Sequence, residues 1–107
     1  MDISLEGWDI ARFDDVDWVP WGSGGKARAK LLAVADGFHV AYVEAEPGYR
    51  GDPHEHGYPE FLHVISGTLR NQGVEMSTGD AYGAATGSTH ADFGTDTGAT
   101  YLSIFKI

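Results

Sequence analysis

Apolar side chains recur along most of this chain with a period of two, the signature of half-buried strands, rather than the 3.6 of a helix. Residues 26–35, KARAKLLAVA, are the one ambiguous stretch, because Ala, Lys and Leu favour helix. The alternation of Lys26, Arg28 and Lys30 with Ala27, Ala29 and Leu31 predicts a strand there. Asp36-Gly37 reads as a hairpin turn. The strand at 38–45, FHVAYVEA, puts Phe38, Val40 and Tyr42 on one face, and Pro47-Gly48 makes the next turn. Strands are expected at 54–57 and 60–66, the second ending at Ser66-Gly67, then at 68–71, 74–76 and 81–85, with a turn from Ser77 to Asp80. After the turn residues Gly94 to Gly98, TYLSIFKI alternates again. Strands about eight to twelve residues apart, punctuated by Gly and Asp, predict an all-β sandwich or barrel. No helix is predicted.

Composition narrows this. At 107 residues the chain suits one domain, and its 42% hydrophobic content is that of an ordinary globular protein. The 15 glycines are scattered singly, as short strands with tight turns require. No apolar run is long enough to span a membrane, and the first residues lack the basic start and apolar run of a signal peptide, so a cytoplasmic protein is expected. The net charge of −9 repels phosphate and anionic lipid and argues against nucleic acid or membrane as partners. Six of the 16 acidic residues fall in the first 17 positions, ahead of Trp18, Pro20 and Trp21. Residues 1–15 are read as an N-terminal arm, either packed on the body or partly disordered. The basic trio Lys26, Arg28 and Lys30 is read as a solvated strand face in preference to an anion site.

With no cysteine in the chain, any metal must be held by nitrogen and oxygen. His54 and His56 are two apart, so on a strand both imidazoles project from one face. Glu60 follows after Gly57, Tyr58 and Pro59, a spacing that places it at the start of a paired strand opposite the histidines. His90 lies 30 residues further on in a segment rich in Gly, Ser and Thr. Three imidazoles and one carboxylate suit one first-row divalent metal ion, such as iron(II), manganese, nickel or zinc, with positions open for water or substrate. His39 and His63 are read as surface or hydrogen-bonded residues.

The stretch from Gly48 to Gly67 resembles the first motif of the cupin superfamily, with Gly48, His54, His56, Glu60 and Gly67 in place. Gly79, Gly87 and His90 resemble the second motif. Gly94 stands where the family often has Asn, and Ala85 where it usually has Pro, whose fixed φ would have pinned the turn before His90. The resemblance implies a single cupin domain, a small antiparallel jelly-roll β-barrel, with metal ligands His54, His56, Glu60 and His90. The upstream residues VDWVPW and KARAKLLAVADG are similar to the branch containing acetylacetone-cleaving dioxygenases and the cupin domain of zinc-binding anti-sigma factors.

Alternation from Glu60 turns Leu62 and Val64 inward, and Tyr82 and Ala84 are expected to face the barrel, with Tyr42 and Phe105 as further lining candidates. Tyr82 is singled out as a possible substrate contact, and Glu60 as a ligand able to act as a base. Phe61, His63 and Ile65 fall on the outer face, where the resemblance implies cover by a second subunit in a homodimer. Two functions are carried forward. One is a metal-dependent oxidoreductase, with iron(II) favoured, cleaving a small dicarbonyl or hydroxy-ketone in dioxygenase fashion. The other is a non-catalytic sensor module that binds a metal and a small ligand.

Overall fold

The computed structural model describes residues 5–106. A single 3-10 turn, Phe13–Asp15, precedes strands β1 (Val19–Pro20), β2 (Ala27–Ala35), β3 (Phe38–Ala45), β4 (His54–Glu55), β5 (Glu60–Asn71), β6 (Val74–Ser77), β7 (Ala81–Ala84), β8 (Thr89–His90), β9 (Phe93–Gly94) and β10 (Ala99–Lys106). The pairings are antiparallel. One sheet runs β1-β2-β3-β10-β5-β6, with β7 and β9 also on β5, while β4 and β8 form a separate two-stranded ladder. This is the curled antiparallel sheet of a cupin jelly roll. No described helix is long and apolar enough to cross a membrane.

The hairpins follow from local chemistry. Asp36 and Gly37 both have positive φ, 51° and 82°, as a two-residue turn between right-twisted strands demands, and Ala35 pairs Phe38 across it. Gln72 and Gly73 repeat the device at 51° and 80°, with Asn71 paired to Val74. Inside lie Ala29, Ala41, Val43, Val64, Leu69 and Tyr101, all almost wholly buried. Each larger apolar side chain among them stabilises the fold by about 1.5–3 kcal/mol.

The strand expected to end at Ser66-Gly67 instead continues to Asn71. Gly67 is not a turn. It sits beside a bulge in the β5–β10 ladder, where the pairing jumps from Ser66↔Thr100 to Val64↔Tyr101. Its φ is +81°, and a Cβ added there would strike the Gly98 carbonyl and come within 2.8 Å of the Ala99 Cα. One continuous strand therefore pairs with β10 and β7 along its first half and with β6 and β9 along its second.

The inward set on β3 is Ala41, Val43 and Ala45, so Phe38, Val40 and Tyr42 face outward. Tyr42, expected to line the barrel, instead packs edge-on against Phe13 at 4.9 Å and near Trp18 at 6.2 Å. The same residues correct the reading of the basic trio. Lys30 is 6% exposed, with Nζ donating to the Phe13 carbonyl at 2.6 Å and standing 3.9 Å over the Phe13 ring. Arg28 stacks on Trp18 at 3.9 Å and pairs with Glu44. The solvated reading thus holds for Lys26 and for much of Arg28, whereas Lys30 is a buried cation held against aromatic rings. Of the arm itself, residues 1–4 lie outside the described residues.

Candidate metal centre

Two ladders bring the site together. In β4–β8 the Cα atoms of His54 and His90 are direct partners, which joins the two sequence motifs across 36 positions. In β5–β7, Glu60 pairs with Ala84 and Leu62 with Tyr82. The strand carrying His54 was expected to pair with the strand carrying Glu60, and it does not. Its partner is β8, and His56 continues that pairing through His56 N–H to the Ser88 carbonyl at 2.8 Å and Gly87 N–H to the His56 carbonyl at 2.7 Å.

The three imidazoles converge. Their ring centroids are 4.8, 5.3 and 5.1 Å apart, and His54, His56 and His90 each offer one nitrogen within 4.8 Å of the others, a group that could hold a metal ion. The hydrogen bonds state which nitrogens are committed. His54 Nδ1 donates to the Asp52 carbonyl at 2.9 Å. His56 Nδ1 faces the Ser88 carbonyl at 3.2 Å and Oγ at 2.9 Å, while Ser88 Oγ donates to the Ala85 carbonyl at 2.6 Å. His90 Nε2 donates to Asn71 Oδ1 at 2.8 Å. The nitrogens left with free lone pairs are therefore His54 Nε2, His56 Nε2 and His90 Nδ1. His56 Nε2 is buried and has no hydrogen-bond partner. A buried polar atom without a partner is costly, and its position beside two more imidazoles fits a metal ion.

Glu60 stands over this group. Its Oε2 lies 3.4 Å from His56 Nε2 and 3.8 Å from His90 Nδ1, and it accepts a hydrogen bond from the Tyr82 hydroxyl at 2.6 Å. Burial pushes the Tyr82 pKa far up, and the adjacent Glu60 carboxylate reinforces the shift, so Tyr82 remains a donor. Burial also lowers the pKa of His90. The Glu60 charge opposes this and the other two histidines add to it, so the net effect favours the neutral imidazole that a metal requires.

The site opens on a cavity of about 280 Å³ lined on the barrel side by Leu62, Phe93, Tyr101, Ser103 and Phe105, and toward the mouth by Trp21 and Tyr49. Leu62, Tyr82 and Phe105 line it as the alternation expected, whereas Val64 is core beneath it and Ala84 is not among the lining residues. His39 stacks on Phe105 from behind at 5.5 Å. Several contributors are not picked out by the sequence pattern, among them Asp52, whose carbonyl orients His54, and the lining residues Tyr49, Phe93, Tyr101 and Ser103. Trp21 had been placed only in an aromatic patch, and Asn71 and Ser88 were not singled out, although each carbonyl or hydroxyl now orients a histidine. The legible hint for Asn71 was its place just ahead of the Gln72-Gly73 turn. Gln72 accepts from the Ala91 and Asp92 N–H groups at 2.8 Å each, which fastens that turn to the segment carrying His90.

A curled antiparallel sheet with three convergent histidines at its mouth defines a cupin. The family described as ChrR cupin-like domain matches residues 7–105, and the chain belongs to it. Among solved structures, a candidate acetylacetone dioxygenase from Methylibium petroleiphilum PM1 is similar over 99% of this chain and 81% of that one, with 20% identity and a TM-score of 0.85. An acetylacetone dioxygenase from Acinetobacter johnsonii matches over 99% and 77%, at 14% identity and TM-score 0.78. The structure of Rhodobacter sphaeroides SigE in complex with the anti-sigma ChrR matches over 89% of this chain and 52% of that one, at 22% identity and TM-score 0.73. No curated protein matches.

Proposed function

We propose that His54, His56, His90 and Glu60 hold one divalent transition metal ion per chain, iron(II) in preference to zinc, manganese or nickel. On this reading the protein is a metal-dependent oxidoreductase that cleaves a small, uncharged dicarbonyl or hydroxy-ketone in the manner of a dioxygenase. The observation that carries the metal is the buried, unpartnered His56 Nε2 among two further free imidazole nitrogens. A bound iron(II) ion would supply Lewis acidity and dioxygen chemistry. The chain's own part is to orient and to exclude water. Tyr82 spends its proton on Glu60, so it acts as a positioning residue for that carboxylate, and Glu60 is the group able to take a proton from a substrate beside the metal.

The cavity supports an uncharged substrate. Neither Lys nor Arg is among its lining residues, whereas Asp52 and Glu60 are. A free carboxylate on the ligand would find its only positive partner in the metal itself, among apolar rings and two acidic residues. The apolar rings leave the oxygens of such a ligand to the metal and to the hydroxyls of Tyr49, Tyr101 and Ser103.

A second reading, a non-catalytic sensor of metal and ligand, is favoured by the family match and by the likeness to the SigE–ChrR structure. The reading also includes a homodimer through the outer sheet face, where Phe61, Ile65 and Ile104 are exposed on adjoining strands. The test has two parts. Elemental analysis is expected to find about one transition metal per chain, lost in His56→Ala and His90→Ala, and metal retained by both variants removes the site. Oxygen uptake by the iron-loaded protein with a panel of small diketones then separates enzyme from sensor. A loaded protein inert across the panel leaves the sensor.

A further inference from the structure

Part of the cavity lining, Trp21 and Gly22, comes from the segment ahead of both histidine motifs. Trp21 lines the same cavity as His54 and His90, packed on Phe105 with ring centroids 5.6 Å apart, and the Tyr101 side chain neighbours it. The preceding segment is fixed to the barrel by β1 pairing with β2 and by Arg28 stacking on Trp18. Trp21 N–H donates to the Ala27 carbonyl at 3.0 Å, closing a short loop, residues 21–26, whose Trp21 and Gly22 line the cavity. In that loop Gly22, Gly24 and Gly25 all have positive φ, and a Cβ on Gly22 would come within 3.2 Å of the Tyr49 hydroxyl. Such a backbone can lie flat against the cavity rim where a side chain would fill it.

The loop is also tied to the segment ahead of β4. Ser23 Oγ donates to Asp52 Oδ1 at 2.5 Å, and the Asp52 carbonyl accepts the Nδ1 proton of His54. One residue thus links the loop that carries the Trp21 wall to the residue that orients the exposed histidine. We propose that Trp21 is the size-determining wall of the ligand cavity, held in place by the Ser23–Asp52 hydrogen bond. The inference deepens the dicarbonyl reading and takes its ligand class from it. The metal end of the ligand is fixed by the histidines, and the far end meets the indole. Bulk added at the far end of a ligand therefore collides with Trp21, while bulk elsewhere meets the open mouth.

The test uses full-length protein loaded with zinc, which binds oxygen ligands without redox turnover. Calorimetric titration with acetylacetone and with 1-phenyl-1,3-butanedione gives the affinity ratio of a small to a large diketone. In Trp21→Ala the ratio is expected to move toward the larger ligand by at least about tenfold, with Trp21→Phe between, as loss of a pocket wall requires. Ser23→Ala is expected to speed amide hydrogen exchange at residues 21–25 without altering metal content. A ratio within about twofold of wild type in both Trp21 variants overturns the proposal. If neither diketone binds the zinc-loaded protein, the substrate reading fails on its own. The wall is then decided on metal-free protein by amide chemical-shift titration with phenol and indole. Preferential gain of indole binding in Trp21→Ala supports it, and unchanged preference overturns it. Melting curves of the Trp21→Phe variant guard against a folding defect in the alanine variant.

Discussion

Asn71 provides a sharp test of how the metal centre is built, because it touches no proposed open position and acts only through His90. Its Oδ1 accepts the His90 Nε2 proton at 2.8 Å, which fixes the tautomer and leaves Nδ1 facing Glu60. Replacing Asn71 by Ala removes the acceptor from a largely buried imidazole. The ring can then turn or change tautomer, and part of the binding energy goes to restoring the competent form. Loss of a ligand's supporting hydrogen bond costs about 10–100-fold in metal affinity. At about 1.4 kcal/mol per tenfold, that is roughly 1.4–2.8 kcal/mol. The net worth of one such bond to stability, about 1 kcal/mol, is of the same order, so the fold is expected to survive. The assay is zinc affinity by competition with a chelator, run beside urea denaturation of the metal-free proteins. Asn71→Asp, which keeps an acceptor in place, is expected to recover most of the affinity. An Asn71→Ala protein with wild-type affinity and unchanged stability would refute the claim that this bond orients the ligand.

Gly67→Ala is expected to cost about 2–4 kcal/mol in urea denaturation, combining a left-handed backbone with a forced shift at the β5–β10 bulge. A loss under about 0.5 kcal/mol would mean that the bulge relaxes freely. Burial raises the pKa of Tyr101 well above 10, with Tyr49 beside it adding to the shift, and burial also raises that of Tyr49. A raised folded-state pKa gives stability that is complete below the unfolded value near 10 and is lost as pH climbs through the folded one. Both phenols should therefore ionise only with unfolding in an alkaline absorbance titration, and reversible ionisation of all five tyrosines in the folded protein would contradict their burial.

The first motif was legible because its chemistry is local. His54 and His56 at i and i+2 share a side on any extended backbone, and Glu60 sits one short loop away. Which strand pairs with which was not legible. Nothing in residues 54–60 states that β4 prefers β8 to β5, since two-residue strands carry almost no register information. Tyr42 shows the same limit from the other side. Phe38, Val40 and Tyr42 form a more apolar row than His39, Ala41 and Val43, and hydrophobicity alone aims them inward. The small row is the buried one, because the aromatic arm supplies an apolar cover for the large one. Lys30 was misread for the same reason, as its aromatic partners lie 12 and 17 positions away.

The resulting site has a division of labour that follows from the topology. The ladder between β4 and β8 fixes the separation of His54 and His90, and a second set of contacts fixes their orientation. That second set comes from elsewhere in the chain: Asp52 ahead of β4 for His54, Asn71 at the end of β5 for His90, and Ser88 ahead of β8 for the neighbouring His56. Gln72 then ties the turn after β5 to the backbone after His90, so the positioning of His90 does not depend on the stiffness of its own segment. This bears on Ala85, where proline is usual in the family. A proline there would restrict φ in the approach to β8. In its place the Ala85 carbonyl accepts the Ser88 hydroxyl proton and, at 3.1 Å, the Ser88 N–H, closing the same turn with hydrogen bonds. The departure from the motif is therefore compensated within three residues, and His90 arrives opposite His54.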